Sequence, residues 1–324
     1  MLIEDPKFNT KFKQKLRDDF KAKDLSDSSI NLYLRNLEKM NDNQPLKNLK
    51  FLEDVEAIQK KLEHYKQNTI RNYLISCVSV LSLDKGSKKR EKLYNDYFKL
   101  MMQKNSELKK IESTGEKSET QTKNWIEWSE VLKTYENLKK LVDEFKNKSS
   151  ITTKQYKYLL EFIVLSCYVL LPPRRNEYKN MFIVNKLSDT HTNACNYIVL
   201  SDKKLIFNQF KTSKKEGALI EDIPNELYEN LLIYLKFHPL LKGKKKLKNN
   251  QTIPFLVYDD GKPLDSINSI TRILNSIFKM NVGSSMLRKS YLTSKYGNVR
   301  QEMKEDAKKM SHSVATQQTN YVKT

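Results

Sequence analysis

"NYIVLSDKKLIFNQFKTSKKEGALIEDI", residues 196–223, decides the fold. β-Branched and aromatic residues gather there in three short runs, NYIVL (196–200), KLIFNQF (204–210) and ALIEDI (218–223), with Asp, Lys, Ser and Gly between them. Short runs of this composition separated by turn residues predict a three-stranded antiparallel meander at roughly 196–223. The flanking sequence carries the helical period instead, so the chain is expected to be mainly α with one small antiparallel sheet.

Working outward, PNELYENLLIYLKF (224–237) returns to helix, followed by the basic loop KGKKKLKNN (242–250), a short PFLVYDDGK stretch (254–262) and further helices. On the other side, TKQYKYLLEFIVLSCYVLL (153–171) is apolar enough to be the core helix of its own domain, and NWIEWSEVLKTYENLKKLVDEF (124–145) precedes it as another helix. IESTGEKSETQTK (111–123) shows no periodicity and almost no large apolar residue, which reads as a solvated linker. Residues 1–110 read as helices only: DSSINLYLRNLEKM (27–40), EDVEAIQKKLEHYK (53–66), NTIRNYLISCVSVLSL (68–83) and KKREKLYNDYFKLMMQKNSELKK (88–110). The expected organisation is a helical bundle over 1–110, a linker over 111–123 and a larger domain over 124–324.

Composition limits the partners. Lys and Arg number 59 against 39 Asp and Glu, a formal net charge of +20, and a chain this basic attracts a polyanion over long range. Nucleic acid is the leading partner. No stretch approaches the roughly 18 consecutive apolar residues of a membrane span, and the first residues lack the apolar core of a signal peptide, so a soluble intracellular protein is expected. Cys77, Cys167 and Cys195 are odd in number and widely spaced in apolar contexts, which favours buried thiols over disulfides or a zinc site. The four histidines are equally scattered.

Several residues could carry chemistry. In PPRRNEY (172–178) the two prolines suit a helix entrance, which would put Arg174 and Arg175 in the first turn beside Glu177. Cations there oppose the helix dipole, so Arg174 either pairs with a carboxylate such as Glu177 or faces an external anion. Lys211 lies in the turn between two of the expected strands, with Lys214 and Lys215 close by. In SSMLRKSYLTSKYG (284–297) Arg288 sits on a helix near Met286, Leu287 and Tyr291, a pattern that also suits burial of its stem. The polar tail MSHSVATQQTNYVKT (310–324) carries His312 and Tyr321.

The order of these residues resembles the tyrosine recombinase and integrase family, over nearly the whole chain. Arg174-Arg175-Asn176-Glu177 is similar to the family's Arg-x-x-Glu/Asp motif, Lys211 to its hairpin lysine, Ser285-Met286-Leu287-Arg288 to its His-x-Leu-Arg box, His312 to the histidine of its next motif and Tyr321 to its nucleophile. Ser285 departs from the pattern, since most members have His there. The resemblance implies a helical core-binding domain and a catalytic domain closed as a C-shaped clamp around double-stranded DNA, in a homo-oligomer of two to four copies. It implies DNA cleavage and rejoining through a 3′-phosphotyrosyl link, with no metal, ATP or other cofactor, as in a site-specific recombinase or viral or mobile-element integrase. A type IB topoisomerase-like or telomere-resolving enzyme would use a similar set of residues, and a catalytically idle DNA-binding relative would keep the clamp without the reaction.

Overall fold

The computed structural model describes residues 8–84, 86–188, 191–241, 247–248, 251–264, 266 and 268–322. The basic loop 242–250 lies outside them except for Leu247 and Lys248. The chain divides into two compact units between Glu116 and Lys117, a point inside the stretch 111–123.

Among its described residues the first unit holds five α-helices, α1 (Lys11–Ala22), α2 (Asp27–Met40), α3 (Val55–Leu62), α4 (Gln67–Leu81) and α5 (Lys88–Thr114). Thr10, Ser26, Asp54 and Ser87 cap four of them, each side-chain oxygen accepting a backbone N–H of the first turn. Ile30, Leu34 and Leu37 of α2 meet Leu74 and Cys77 of α4 in one core, and the fully buried Tyr97 of α5 donates its hydroxyl to the Leu52 carbonyl at 3.0 Å. Among the described residues of this unit there is no strand.

The expected linker is partly helical. α5 continues to Thr114, where Gly115 at φ 74° ends it, and α6 (Glu119–Lys123) opens with a capping box between Ser118 and Gln121. The capping residues, rather than any apolar face, make these turns helical.

The second unit contains α6, α7 (Trp128–Asp143), α8 (Thr153–Val169), α9 (Ser213–Glu216), α10 (Asn225–Lys236), α11 (Ser269–Phe278), α12 (Ser284–Lys309) and α13 (Val314–Thr316) with five strands. α8 is buried along most of its length because it is apolar on every side, and it packs against α7, α10 and α11. A buried amide ties three of these helices together, Asn230 of α10 donating to the Tyr135 hydroxyl of α7 at 3.0 Å and to Ser166 of α8 at 3.2 Å.

The sheet corrects the expectation of three antiparallel strands. It is mixed and five-stranded, in the order β4-β3-β2-β1-β5, with β1 (Met181–Val184), β2 (Asn196–Val199), β3 (Lys204–Phe207), β4 (Leu219–Asp222) and β5 (Thr252–Pro254). β2, β3 and β4 pair antiparallel, as the runs within 196–223 suggest, while β1 adds parallel to β2 and β5 antiparallel to β1. β1 and β5 are four and three residues long and lie outside the three runs of 196–223. Their presence makes β2 an interior strand, and all four of its residues are buried.

Candidate active site

The segment Pro172–Arg175 is not helical. It is irregular backbone leading from α8 to a single 3-10 turn, Glu177–Asn180, directly before β1, so Arg174 precedes that turn rather than starting a helix. Consecutive prolines bias the chain away from helical backbone, and β1 leaves room for only one turn. Arg174 pairs with Glu221 of β4, Nη1 lying 3.2 Å from Oε1, and not with the neighbouring Glu177. Its guanidinium carbon lies 4.0 Å from the Phe207 ring centroid and 5.6 Å from that of Phe210, so aromatic faces of the β3 region hold the flat of the fork. The side chains of Arg174 and Glu221 keep 17% and 30% of their exposure.

The N-terminus of α12 is attached to this loop through Tyr168. The Tyr168 hydroxyl donates to the Arg175 carbonyl at 3.1 Å, and the side chain of Ser284, the first residue of α12, lies beside it. Burial is the main force driving that phenol above its ordinary range, with Cys167 and Glu177 adding to it. Arg288 stands one turn beyond Ser284 and is half-buried, with no hydrogen-bond or ion-pair partner among the described residues. Ser285 is exposed on the same end of α12, three residues before Arg288 and therefore on a neighbouring face. Lys211 is exposed on the connection from β3 to β4, which is longer than a tight hairpin turn and includes α9.

His312 and Tyr321 form a second group. After α12 ends at Lys309, Ser311 takes a left-handed conformation (φ 54°) and the chain turns through α13 into a π-helical turn, Gln317–Tyr321. The His312 and Tyr321 rings stack with centroids 5.1 Å apart and planes at 26°. His312 Nδ1 lies 3.2 Å from the Ser313 carbonyl; a carbonyl only accepts, so Nδ1 carries the proton of that bond and Nε2 is left as the reactive nitrogen. Tyr321 is 66% exposed.

The structure therefore ties Ser284, at the start of the helix that carries Arg288, to the loop of Arg174 and Arg175 through Tyr168, and stacks His312 on Tyr321, with no hydrogen bond, ion pair or ring contact between the two groups among the described residues. α12 is continuous for 26 residues, and at a rise of about 1.5 Å per residue Arg288 and Lys309 stand roughly 30 Å apart along it. Among the described residues, neither His312 nor Tyr321 makes a hydrogen bond, ion pair or ring contact with Arg174, Lys211, Ser285 or Arg288.

Unsatisfied polar atoms mark the same places. In the second unit, the described buried side-chain atoms with no hydrogen-bond partner are Arg174 Nε, Asn176 Oδ1, Glu177 Oε2, Ser290 Oγ, His312 Nε2 and Gln317 Oε1. Each such atom is destabilising by about 1–3 kcal/mol, and native folds keep few of them. All six fall on the three segments that carry Arg174, Arg288 and the His312–Tyr321 pair. Glu221, Phe207, Tyr168 and Ser290 are absent from the sequence-derived set; the two adjacent acids Glu221 and Asp222 inside the run ALIEDI were the available signal for Glu221.

Among the described residues no group of His, Cys, Asp and Glu is arranged to hold a metal ion, and no helix is long and apolar enough to cross a membrane. No family model matches this sequence, and neither does any curated protein or solved structure.

Proposed function

We propose that this chain is a DNA strand transferase of the tyrosine recombinase kind, a site-specific recombinase or integrase that cuts and rejoins double-stranded DNA through a 3′-phosphotyrosyl link. The observation that carries the reading is that the unsatisfied buried atoms described in the second unit fall on the segments of Arg174, Arg288 and the His312–Tyr321 pair, three of the four that carry the sequence resemblance. The net charge of +20 supports a polyanionic substrate.

In this reading Arg174 and Arg288 neutralise the non-bridging oxygens of the scissile phosphate. Guanidinium is permanently charged and its planar fork matches phosphate geometry. The Tyr321 hydroxyl oxygen attacks phosphorus in line and forms the new P–O bond as the bond to the 5′-oxygen breaks. The phenolic proton leaves to His312 Nε2 or to water, and the departing 5′-oxygen takes a proton from Lys211. Attack by a 5′-hydroxyl on the phosphotyrosine then reverses these bonds, so the phosphodiester energy is conserved. Ser285 supplies a neutral hydrogen bond where relatives supply an imidazole.

The test is a duplex nicked close to the cleavage site, so that the released 5′ fragment diffuses away and the covalent intermediate accumulates. A protein–DNA adduct stable to denaturant, present with the natural chain and absent with Tyr321→Phe at unchanged duplex affinity, is the expected result. Tight duplex binding with no adduct in either protein would leave a DNA-binding protein without the reaction.

A further inference from the structure

A cavity of about 370 Å³ opens between α8 and α11, with Tyr156, Leu160, Ile273 and Tyr258 as its apolar walls. None of the strand-transfer residues lines it. Its charges balance, Lys157 and Arg272 standing against Glu161 and Asp259, although the whole chain carries a net charge of +20. A nucleic-acid phosphate therefore meets no excess of cations there. Glu161 is only 6% exposed, and a carboxylate so enclosed is destabilising unless it is paired and hydrogen-bonded. Ser276 of α11 donates to its Oε1 at 2.7 Å and Lys157 Nζ stays 3.8 Å from the same oxygen, while Oε2 has no hydrogen-bond partner among the described residues. Arg272 is half-buried and likewise makes no hydrogen bond or ion pair among the described residues.

We propose that this cavity binds a small zwitterion, a free α-amino acid with an apolar or aromatic side chain. Arg272 precedes Ser276 by four residues and lies one helical turn from it on the same side of α11, and Ser276 is itself bonded to Glu161. A guanidinium and a carboxylate thus line one cavity about a turn apart without pairing with each other. The ammonium and carboxylate of an α-amino acid hang on one carbon and bridge that gap. The ligand carboxylate takes the Arg272 fork and the ligand ammonium donates to Glu161 Oε2, each through a charge-assisted hydrogen bond. The side chain then lies against Tyr156, Leu160 and Ile273, and the ligand adds no net charge to a balanced lining. A purely cationic ligand would satisfy Glu161 and leave Arg272 unpaired, and a purely anionic one would do the reverse. The volume stands near the lower end of the roughly 300–1,000 Å³ of small-molecule sites, which suits an amino acid better than a nucleotide.

Calorimetric titration of the full chain with L-leucine, L-methionine, L-phenylalanine and L-tryptophan, each alone, tests it. At least one of the four should bind saturably. For the tightest of them, the amine that lacks its carboxylate and the acid that lacks its ammonium should each bind about tenfold more weakly or worse. Arg272→Gln should weaken the amino acid by about tenfold and leave the amine unchanged, since the amine never used the guanidinium. Glu161→Gln keeps an acceptor for Ser276, and should weaken the amino acid similarly while leaving the acid unchanged. Arg272 has no partner to strand among the described residues, so its variant reads binding even if Glu161→Gln fails to fold. The proposal is wrong if none of the four binds saturably up to about 10 mM. It is equally wrong if Arg272→Gln binds as tightly as the natural chain, or if the amine or the acid alone matches the amino acid.

Discussion

Glu221 of β4 accepts a hydrogen bond from Arg174 Nη1 at 3.2 Å while Phe207 lies 4.0 Å beneath the same guanidinium. The carboxylate fixes one edge of the fork and the ring fixes its plane, so the orientation of Arg174 is set by residues of the sheet. Glu221→Gln still offers an oxygen to Nη1 but without charge. It should lower single-turnover cleavage by about tenfold, and Glu221→Ala by more, with duplex affinity nearly unchanged. Faster cleavage by Glu221→Gln would mean instead that the carboxylate competes with phosphate for Arg174.

Arg288 and Arg174 should separate when stability is measured beside rate. Each contributes a charged donor, so Ala at either position should slow cleavage by about a hundred- to a thousandfold. Arg174→Ala also strands the half-buried Glu221 carboxylate and should lower the melting temperature of the second unit. Arg288 has no partner to strand among the described residues, and Arg288→Ala should melt close to the natural chain. Equal losses of stability in the two variants would contradict this difference.

His312 offers a test of its reactive nitrogen. Nδ1–H is committed to the Ser313 carbonyl, and Nε2 is enclosed without a partner beside the Tyr321 ring. Gln places an amide nitrogen near the position of Nε2 but cannot take up a proton. If Nε2 takes the Tyr321 proton, His312→Gln should lose cleavage as fully as His312→Ala. Cleavage by His312→Gln about tenfold above His312→Ala would assign His312 instead to donating a hydrogen bond to the phosphate.

Much of the fold was legible because it rests on local pattern. The three runs within 196–223 became β2, β3 and β4, and the apolar run 153–171 became the buried α8. What was not legible depends on distance in sequence or on single capping residues. β1 pairs with β2 and with β5 across gaps of about 15 and 70 residues, which a local pattern does not display. The partner of Arg174 stands 47 positions away on β4, whereas the nearest acid in sequence, Glu177, is left with an unpaired oxygen. The order of the candidate residues was visible in the chain, but the sequence could not tell that one helix, α12, runs unbroken from Ser284 to Lys309 between Arg288 and His312.

His238 makes stability depend on pH. Its ring is buried, Nε2–H donates to the Pro254 carbonyl at 3.1 Å, and Nδ1 accepts from the Leu240 N–H. Burial lowers its pKa from 6.5 to about 4, outweighing the backbone carbonyls that favour the cation. Because the folded value is the depressed one, the unfolded chain binds a proton between pH 6.5 and 4 that the folded chain excludes. Stability of the second unit should therefore fall by about 3 kcal/mol as pH drops through that window and level off below it. Denaturant unfolding at a series of pH values checks this against His238→Gln, in which that part of the slope should vanish; parallel curves would show that His238 is not its source.

Ser285 is where the sequence departs from the family it resembles, and the structure limits what the serine can do. It is exposed at the start of α12, three residues before Arg288 and away from the apolar core, so its hydroxyl can reach an anion held by Arg288. A serine contributes a neutral donor to a developing negative charge, and a neutral donor is worth about half a charged one. Ser285→Ala should therefore slow cleavage by about tenfold or less, well short of the loss in Arg288→Ala, with unchanged duplex affinity. Ser285→His, placed where solvent leaves room for an imidazole, should match or exceed the natural rate and add a pH dependence near the histidine range. Should Ser285→Ala cleave at the natural rate while Ser285→His is slower, the hydroxyl has no part in the reaction and the position serves only as the second residue of α12.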